Sequence, residues 1–530
     1  MATIIYQKDK RIGITYAYES VSYWDKKKKQ SRSKRKLIGR VKEDGTIVPT
    51  DGRGHRKKEL SKDNLQKDRV IIRSFYGATY LLDEIGKKLG LIQVLKECFG
   101  DRYKEILSIA YYLVLEDSSP LYRFEKWSLL HSHPFQNNIP SQRSSELFAS
   151  ITEENRHQFF KLWGKHKDKD EFWAYDTTSI SSYSEQLKQI QYGHNKESDP
   201  LAQLNLAIAF GELSNLPFYC RKLSGNIPDS KTLKHLLSDI NQLGFNKVKF
   251  VLDRGFYSKE NINQLYENHF KFIIATRMSL SFVQQKLESI YNNFRSYEYY
   301  IPEYELYAHT IKTTWEYKVK RPYKGDTVIK KRRIYLHYYY NIERAGYDEK
   351  EFDNKLIRLK EEVLQDKLVK EHESFYKKYF IIKKTPKRGV SVKVNTQAVN
   401  IAKRYYGFFV LFSNEKMDAK KALELYRNKD VVEKAFGNLK ERLNMRRLLV
   451  SSEQSLDGKI FVEFIALIYL SYIKREMQTN NLYKKYTTQS LLDKLDVIEC
   501  FKYPNKKLSV GEILEEQKNI YKALGVDYPR

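Results

Sequence analysis

The sequence predicts an α/β fold in which a β-rich insertion interrupts the main domain. Between about residues 170 and 275, apolar strand-like runs alternate with amphipathic helices, a pattern typical of a sheet covered by helices. From about residue 280 to 405 the sequence becomes aromatic, alternating and basic, which favours further strands. Helical periodicity dominates from about 70 to 150 and again toward the C-terminus.

The composition indicates which kind of partner the protein has. The chain of 530 residues carries 95 Lys and Arg against 66 Asp and Glu, a formal net charge of +29. Its 41% hydrophobic residues suffice for globular packing, and its length favours about three structural units. The positive excess disfavours an ordinary metabolic enzyme and favours a polyanionic partner, with nucleic acid ahead of acidic lipid. A basic surface that serves only solubility stays open as the alternative.

Three features bear on where the protein works. The cysteines Cys98, Cys220 and Cys500 are scattered without metal-ligand spacing, which indicates a reducing compartment and buried thiols. The N-terminus lacks the apolar core of a signal peptide. The longest apolar run, Ile460 to Ile473, contains Glu463 and is too short to span a bilayer, so we expect a buried core helix. We therefore expect a cytoplasmic, nucleoid-associated protein of bacterial type without a membrane partner.

Two segments precede the predicted α/β core. Residues 1–65 form a predicted β-rich segment, in which strand-like "GITYAYESVSYW" leads into the basic stretch "DKKKKQSRSKRK". This order predicts a hairpin with a lysine-rich tip. Two interpretations of the basic stretch are open, a solvated loop and an arm that contacts DNA phosphates. Residues 66–165 carry apolar residues at helical spacing and predict a small helical domain, interpreted as DNA-binding.

The catalytic core is predicted in two parts, 166–280 and 404–478, with the β-rich insertion and its charged helix between them at 281–403. In the first part, "DEFWAYDTTSIS", "LAQLNLAIAFG" and "LPFYCRKLSG" are predicted to be neighbouring strands. "DSKTLKHLLSDINQLG" predicts a helix capped by Asp229 or Ser230, and "VKFVLDRG" predicts a further strand. A helical C-terminal segment at 479–530 is the candidate dimer contact.

Acidic side chains recur where these predicted elements end. Asp176 in "WAYDTTS" and Asp253 in "FVLDRGFYS" are each predicted to end an apolar strand. A predicted helix, "LELYRNKDVVEKAFGNLKERL", supplies a third acid and three flanking side chains, namely Glu433, Tyr426, Lys429 and Lys440. Offsets of three, four and seven residues place all four side chains on one face of a continuous helix. A helical face with one carboxylate between two cations is unsuited to packing in an apolar core, but it suits a surface that faces phosphate.

These motifs resemble the three signatures of DDE-type insertion-sequence transposases, in the order "DTTS", "DRGFYS" and Tyr-x2-(Arg/Lys)-x3-Glu-x6-Lys. The resemblance is to the branch named after insertion sequence four, in which a β-rich insertion separates the second Asp from the Glu. The longer gap here also lies between Asp253 and Glu433, and the resemblance covers Phe172 to Tyr472. One position departs from the pattern, because Lys429 stands where Arg is usual, with Arg427 two residues away.

The resemblance implies a ribonuclease-H-like α/β catalytic domain and a DNA transposase activity. Such an enzyme binds the terminal inverted repeats of its element, cleaves them by metal-dependent hydrolysis and transfers the 3′ ends into target DNA. Members of this branch commonly release the element through a hairpin on the transposon end. Pairing of two ends implies a homodimer in a synaptic complex on double-stranded DNA.

The chemistry of the three acids agrees with this activity. Asp176, Asp253 and Glu433 repel one another unless cations neutralise them. Hard divalent ions such as Mg²⁺ prefer oxygen ligands and keep substrate phosphates among them. Two such ions about 4 Å apart activate an attacking water or 3′-hydroxyl and stabilise the departing oxygen. We therefore expect these residues to be catalytic, with two Mg²⁺ ions, or Mn²⁺ in their place, as the cofactor.

Six further residues are candidate DNA contacts, namely Tyr426, Lys429, Lys440, Arg254, Arg427 and Trp315. Tyr426 and Lys440 match family positions that grip the DNA end near the cleaved phosphate. Arg254 either binds phosphate or pairs with a neighbouring acid. Trp315, in the insertion, either stacks on a flipped base or packs in the core.

Two other functions stay open on the sequence alone. A structure-specific nuclease would use the same metal site without strand transfer. A DNA-binding regulator derived from a transposase would keep the basic surface while losing an acid. All three acids are present, which disfavours the regulator. The long insertion and the basic N-terminal segment fit end recognition better than simple cutting.

Overall fold

The chain folds into two compact units, Met1–Ile72 with Lys502–Lys507, and Arg73–Phe501 with Leu508–Arg530. The structure is a computed structural model, and it describes residues 2–9, 13–25, 29–42, 44–50, 71–166, 171–184, 186–196, 199–245, 248–320, 326–385, 389–443, 445, 450, 452–503 and 506–530.

The first unit contains a four-stranded antiparallel sheet in the order of the chain. Its strands are β1 (Ala2–Lys8), β2 (Thr15–Asp25), β3 (Gln30–Val41) and β4 (Ile47–Pro49). β2 and β3 pair antiparallel over the segment predicted as a hairpin. Residues 26–28 of the predicted lysine-rich tip lie outside the described residues.

The second unit opens with β5 (Ile72–Phe75) and a group of helices. The helices are α1 (Gly77–Lys88), α2 (Leu91–Phe99), α3 (Tyr103–Leu115), α4 (Phe124–Leu130), α5 (Ser141–Ser150) and α6 (Glu153–Trp163). Their apolar residues recur at helical spacing, and the faces that carry them are buried in the main core of this unit.

A central sheet follows, and its strands alternate with helices as the sequence predicts. The elements are β6 (Phe172–Ser181), β7 (Gln203–Gly211), β8 (Pro217–Ser224), α7 (Asp229–Gln242), β9 (Lys249–Leu252), α8 (Lys259–Glu267) and β10 (Lys271–Thr276). The strands lie in the order β8, β7, β6, β9, β10. β6, β7 and β8 pair antiparallel, whereas β9 is parallel to both β6 and β10.

The predicted insertion contributes strands to this same sheet. Its elements are α9 (Ser281–Glu288), β11 (Tyr300–Ile301), β12 (Leu306–Lys320), β13 (Thr327–Tyr340), α10 (Ile342–Leu364), α11 (Glu373–Tyr379), β14 (Phe380–Thr385), β15 (Gly389–Val394) and α12 (Thr396–Lys403). The next strand, β16 (Phe408–Ser413), pairs antiparallel with both β10 and β13. The sheet therefore has nine described strands, while β14 and β15 pair only with each other.

The charged segment that was predicted as one helix is divided in the structure. α10 ends at Leu364, and α11 begins at Glu373. Asp366 has a φ of 54°, in the left-handed region, which stops the helix. The prediction of a single helix was wrong because the exposed, polar residues of this segment give no sequence signal for the turn between the two helices.

The C-terminal part contains both helices and two short strands. Its elements are α13 (Ala419–Asn428), α14 (Asp430–Gly437), α15 (Glu453–Thr479), α16 (Thr488–Asp496), β17 (Glu499–Lys502), β18 (Ser509–Val510) and α17 (Glu515–Ala523). The prediction of a purely helical C-terminus was wrong, because β17 pairs with β18 and joins β5 in a three-stranded sheet. The partner strand β5 lies more than 400 residues before β17 in the sequence, so local periodicity does not indicate this sheet.

The long helix α15 lies at the centre of the helical part. Its residues are buried almost continuously from Leu456 to Ile473, which confirms the predicted core helix. It packs against α3, α5 and β8, so the N-terminal helices and the sheet share one core. Among the helices in the described part of the chain, none is long and apolar enough to cross a bilayer.

Glu463 is an acid inside this apolar helix. It is 1% exposed, its Oε1 lies 3.8 Å from Lys459 Nζ, and its Oε2 has no hydrogen-bond partner among the described residues. Burial raises the pKa of Glu463 from 4.5 to about 8, although the positive charge of Lys459 opposes this shift. The carboxyl group is therefore neutral in the folded protein at pH 7.

We predict that this group makes the folded protein less stable as pH rises. Between pH 4.5 and 8 the unfolded chain loses the proton while the folded protein keeps it, so the free energy of unfolding falls across that window. The loss amounts to up to about 4 kcal/mol, because one pKa unit corresponds to about 1.4 kcal/mol. Glu463→Gln should remove this component, and urea unfolding at pH 5 and pH 8 measures it. The exposed Glu515→Gln serves as the control, and equal pH slopes in wild type and Glu463→Gln would contradict the prediction.

Candidate active site

The parallel pairing of β6 with β9 sets two of the predicted acids side by side. The register runs from Phe172 opposite Lys249 to Tyr175 opposite Leu252. Asp176 and Asp253 each follow this last pair directly, on strands about 4.8 Å apart. Both acids therefore stand at the edge where the parallel pairing ends.

Asp176 does not end its strand as predicted. β6 continues to Ser181 because β7 still pairs with it there, opposite Gln203. What ends at Tyr175 is the parallel pairing with β9. Asp176 thus stands where the sheet opens, and its side chain is 17% exposed.

The partners of Asp176 partly offset the cost of its burial. Its Oδ1 accepts a hydrogen bond of 2.7 Å from the Thr177 backbone N–H and lies 3.3 Å from Lys196 Nζ. Burial raises the pKa of Asp176, whereas the charges of Lys196 and Lys429 and the Thr177 N–H oppose that rise. The net effect is a pKa of Asp176 above its usual value.

Asp253 follows β9 directly and receives a hydrogen bond of 2.7 Å from the Tyr426 hydroxyl. Burial alone would raise the pKa of Asp253, but this bond, the Lys429 charge and the Arg254 backbone and charge lower it below its usual value. The predicted Tyr426 thus contacts the second acid. Arg254 itself is exposed beside it.

The segment that carries the third acid is not the single helix that was predicted. α13 ends at Asn428, Lys429 joins it to α14, and a π-helix spans Asn438–Arg442. Such π-helical turns recur at functional sites. α14 packs against β6 and β7, which brings Glu433 to the edge that carries Asp176.

Glu433 is the exposed member of the three acids. Its side chain is 58% exposed, and its Oε1 lies 2.7 Å from Lys429 Nζ, which is itself 12% exposed. The contact spans one helical turn, as the sequence spacing predicts.

Lys429 is the cation common to all three acids. Burial lowers the pKa of Lys429, but the hydrogen bond to Glu433 and the charges of Asp253, Glu433 and Asp176 outweigh it, so the pKa is raised. A single ammonium group is thus electrostatically coupled to the complete set of predicted acids. Its direct ion pair is with Glu433, at 2.7 Å.

Two residues that sequence reasoning did not select as site residues complete the cluster. Lys196 Nζ lies 3.2 Å from Asp229 Oδ2, 2.6 Å from the Thr177 carbonyl oxygen and 3.0 Å from Thr177 Oγ1. Thr177 Oγ1 donates to Asp229 Oδ1. A Cβ at Gly255 would lie 3.3 Å from Asp229 Oδ2, so Asp229 also borders the turn after Asp253.

Asp229 or Ser230 was predicted to cap α7, and that prediction was wrong. The N-cap residue is Pro228, and no side chain caps the helix. The Asp229 carboxylate is used by Thr177 and Lys196 instead. Its position at the first residue of α7, the helix that leads into β9, is the signal that could have identified it, whereas Lys196 stands in a loop without a motif.

A cleft of about 380 Å³ opens between β6 and α14. Glu433 and the predicted Lys440 line one side of it, and Asp176 and Lys196 line the other. Lys440 is 8% exposed. The cleft therefore presents carboxylates and ammonium groups to one space, which suits both a cation and an anionic backbone.

Two predicted DNA contacts lie elsewhere. The Arg427 guanidinium stacks 4.4 Å above the Tyr304 ring. Trp315 is 8% exposed, and its indole N–H donates to Asn263 Oδ1 at 2.9 Å. This burial favours the core interpretation of Trp315 over base stacking.

The donor set suits a hard divalent cation, because Asp176, Asp229, Asp253 and Glu433 offer only oxygen ligands. In the described part of the chain, however, no three His, Cys, Asp or Glu side chains lie close enough together to hold a metal ion. The carboxylates are instead engaged by lysines, Asp176 by Lys196 and Glu433 by Lys429. Metal binding would require side-chain rotations that exchange these partners.

We predict that Tyr426→Phe raises the pKa of Asp253. The substitution removes the hydrogen bond that favours the carboxylate, while burial remains. Titration of ¹³C-carboxyl-labelled aspartate by NMR measures the shift, with the Asp253 signal identified by its loss in Asp253→Asn. Tyr304→Phe, whose ring lies under Arg427, is the control. An unchanged Asp253 pKa would show that the bond has no such role.

Comparison with known proteins assigns the chain to a family. A solved structure, the cryo-EM structure of piggyBac transposase synaptic complex with hairpin DNA, is 10% identical in sequence with a TM-score of 0.35, and the match covers 75% of this chain and 70% of that chain. That likeness is too weak to support an assignment, and no curated protein matches the chain. The model of the family described as "Transposase DDE domain" matches residues 167–469, more than half of the chain. The chain therefore belongs to the transposase DDE domain family.

Proposed function

We propose that this protein is a DNA transposase that cleaves the terminal inverted repeats of its element and transfers the 3′ ends into target DNA. The family of the chain makes transposition the reaction class. The net charge of +29 supports a DNA substrate, because cations that neutralise phosphates supply most non-specific affinity for nucleic acid.

One observation carries this proposal: the ammonium group of Lys429 is electrostatically coupled to all three acids of the family signature. Asp176 and Asp253 directly follow the last pair of the β6–β9 register, and Glu433 shares an ion pair with this lysine. The electrostatic convergence of three acids so distant in sequence on one cation supports a catalytic site. The same convergence disfavours a DNA-binding regulator that has lost its catalytic site.

We infer that Asp176, Asp253 and Glu433 hold the divalent cations on which DDE transposases generally depend. Mg²⁺ suits these oxygen donors, and a pair of ions supplies charge stabilisation for an in-line displacement at phosphorus. The chain's own cations have a separate role. Lys429 and Lys196 pair with these carboxylates in the folded chain, and in the proposal their ammonium groups contact DNA phosphates when the substrate is bound.

The fold around the site supports a ribonuclease-H-like catalytic domain of the insertion sequence four type. The five strands β8, β7, β6, β9 and β10 form two antiparallel pairs followed by two parallel pairs, with an acid where the parallel pairing of β6 with β9 ends. Between Asp253 and Glu433 the chain adds β11 to β13 to this sheet. We propose that this segment is the family's β-rich insertion.

We further propose that Tyr426, Lys440 and Arg254 contact the DNA end. Tyr426 bonds to Asp253, Lys440 lines the cleft beside Glu433, and Arg254 is exposed next to Asp253. Each of the three residues therefore lies next to a predicted catalytic acid. Cleavage through a hairpin and action as a homodimer on paired ends belong to this proposal through the family resemblance.

A structure-specific nuclease is the alternative, since it would use the same acids. The two activities separate in a strand-transfer assay, because only a transposase joins a cleaved 3′ end to a second duplex.

We predict that Asp253→Asn abolishes nicking of labelled element ends in Mg²⁺ while binding to those ends persists. The substitution removes a ligand charge but leaves the basic surface intact. The nicking rate should fall by more than about 100-fold. Substitutions of residues that only support metal ligands already cost up to about 100-fold in activity, and Asp253 is proposed as a ligand itself.

The matched control is Asp366→Asn. Asp366 is 67% exposed and has a positive φ that asparagine tolerates, so this variant should nick at the wild-type rate. Undiminished nicking by Asp253→Asn would show that Asp253 is not a catalytic residue. Absence of strand transfer by the wild-type protein would favour the nuclease.

A further inference from the structure

The antiparallel sheet of the first unit ends in a two-stranded projection. β1 pairs with β2 only from Thr15 to Val21, and β4 pairs with β3 only from Gly39 to Val41. Beyond these limits Ser22–Asp25 and Gln30–Ser33 pair with each other and with no other described strand. We name residues 19–25 and 30–36 the β2–β3 arm.

The arm has two chemically different faces, because side chains alternate along a strand. On one face Glu19, Val21 and Tyr23 stand opposite Lys36, Lys34 and Arg32, and Asp25 stands opposite Gln30. All of these side chains except Asp25 are exposed, Val21 at 45% and Tyr23 at 49%. This face therefore carries three cations and two acids around an aromatic ring.

The other face mixes short hydroxyl side chains with two large ones. Ser22 stands opposite Ser33, and Trp24 stands opposite Ser31, all four exposed. Arg35 is the cation of this face and is also exposed.

The arm's positive charge is only partly balanced. Arg32 lies 3.7 Å from Asp25. No carboxylate in the described part of the chain forms an ion pair with Lys34, Arg35 or Lys36. The arm thus has cations available for an external anion, unlike Lys196 and Lys429, which are engaged by carboxylates.

The shape and chemistry of the arm favour duplex DNA among polyanions. Two strands lie about 4.8 Å apart, and a major groove about 12 Å wide admits a two-stranded ribbon. A single strand would need stacking aromatics in a row, but Tyr23 and Trp24 lie on opposite faces. A lipid surface would need an apolar face, and neither face of the arm is one.

We propose that the β2–β3 arm enters a groove of duplex DNA and that Arg32, Lys34 and Lys36 neutralise backbone phosphates there. This inference rests on the proposed function only in taking duplex DNA as the substrate. It assigns part of DNA recognition to the first unit, outside the family-matched residues 167–469.

The test compares two triple variants with the same loss of charge. Arg32→Gln, Lys34→Gln and Lys36→Gln together neutralise the arm, and Lys360→Gln, Lys367→Gln and Lys370→Gln together neutralise exposed lysines of the second unit. Fluorescence anisotropy gives the duplex affinity of the full chain between 50 and 300 mM salt. The arm variant should lose roughly 0.9 of log–log slope per phosphate contact, up to about 3 in all. The control variant should lose less than one unit of slope.

A charge-preserving variant guards against misfolding. Arg32→Lys, Lys34→Arg and Lys36→Arg together keep the arm's charge, so the wild-type salt slope should return. Equal slopes for the arm variant and the control would overturn the inference, while wild-type binding and nicking would leave the proposed function standing. A wild-type protein that binds no duplex DNA would instead overturn both. An arm variant that loses binding only to single-stranded oligonucleotides, or to phosphatidylserine vesicles, would also overturn the inference.

Discussion

The parallel register of β6 on β9 is the constraint on which the site depends. It places Asp176 and Asp253 at the same end of two neighbouring strands. The sheet that contains these strands is buried in the main core of the second unit. A shift of one residue would turn one carboxylate to the opposite face, so the packing of these apolar strands fixes the geometry of the acids. The stability of the core and the chemistry of the site are therefore linked through one strand pair.

Lys429 gives this geometry its electrostatic balance. Buried carboxylates that lie near one another raise one another's pKa, and Asp176 already has a raised pKa from burial. An ammonium group coupled to Asp176, Asp253 and Glu433 offsets that cost in the absence of other cations. Arg, usual at this position in the family pattern, would offer a planar fork, whereas Lys offers a point charge that turns readily from one acid to another.

Local patterns in the sequence predicted the elements of the core, but long-range pairing decided the rest. Apolar runs around Asp176 and Asp253 identified β6 and β9, and spacing identified the contact of Lys429 with Glu433. The continuation of β6 past Asp176 depends on β7, and the entry of β12 and β13 into the central sheet depends on β16. Lys196 and Asp229 were not predicted as site residues, because neither belongs to a local motif and only the tertiary fold brings them to the acids.

Anomalous X-ray diffraction from crystals of the protein with an element-end duplex and Mn²⁺ shows directly whether the three acids hold divalent cations. We expect Mn²⁺ peaks within bonding distance of carboxylate oxygens from Asp176, Asp253 and Glu433, with Lys429 turned from Glu433 toward a phosphate. Mn²⁺ bound elsewhere, with Glu433 still paired to Lys429, would contradict it.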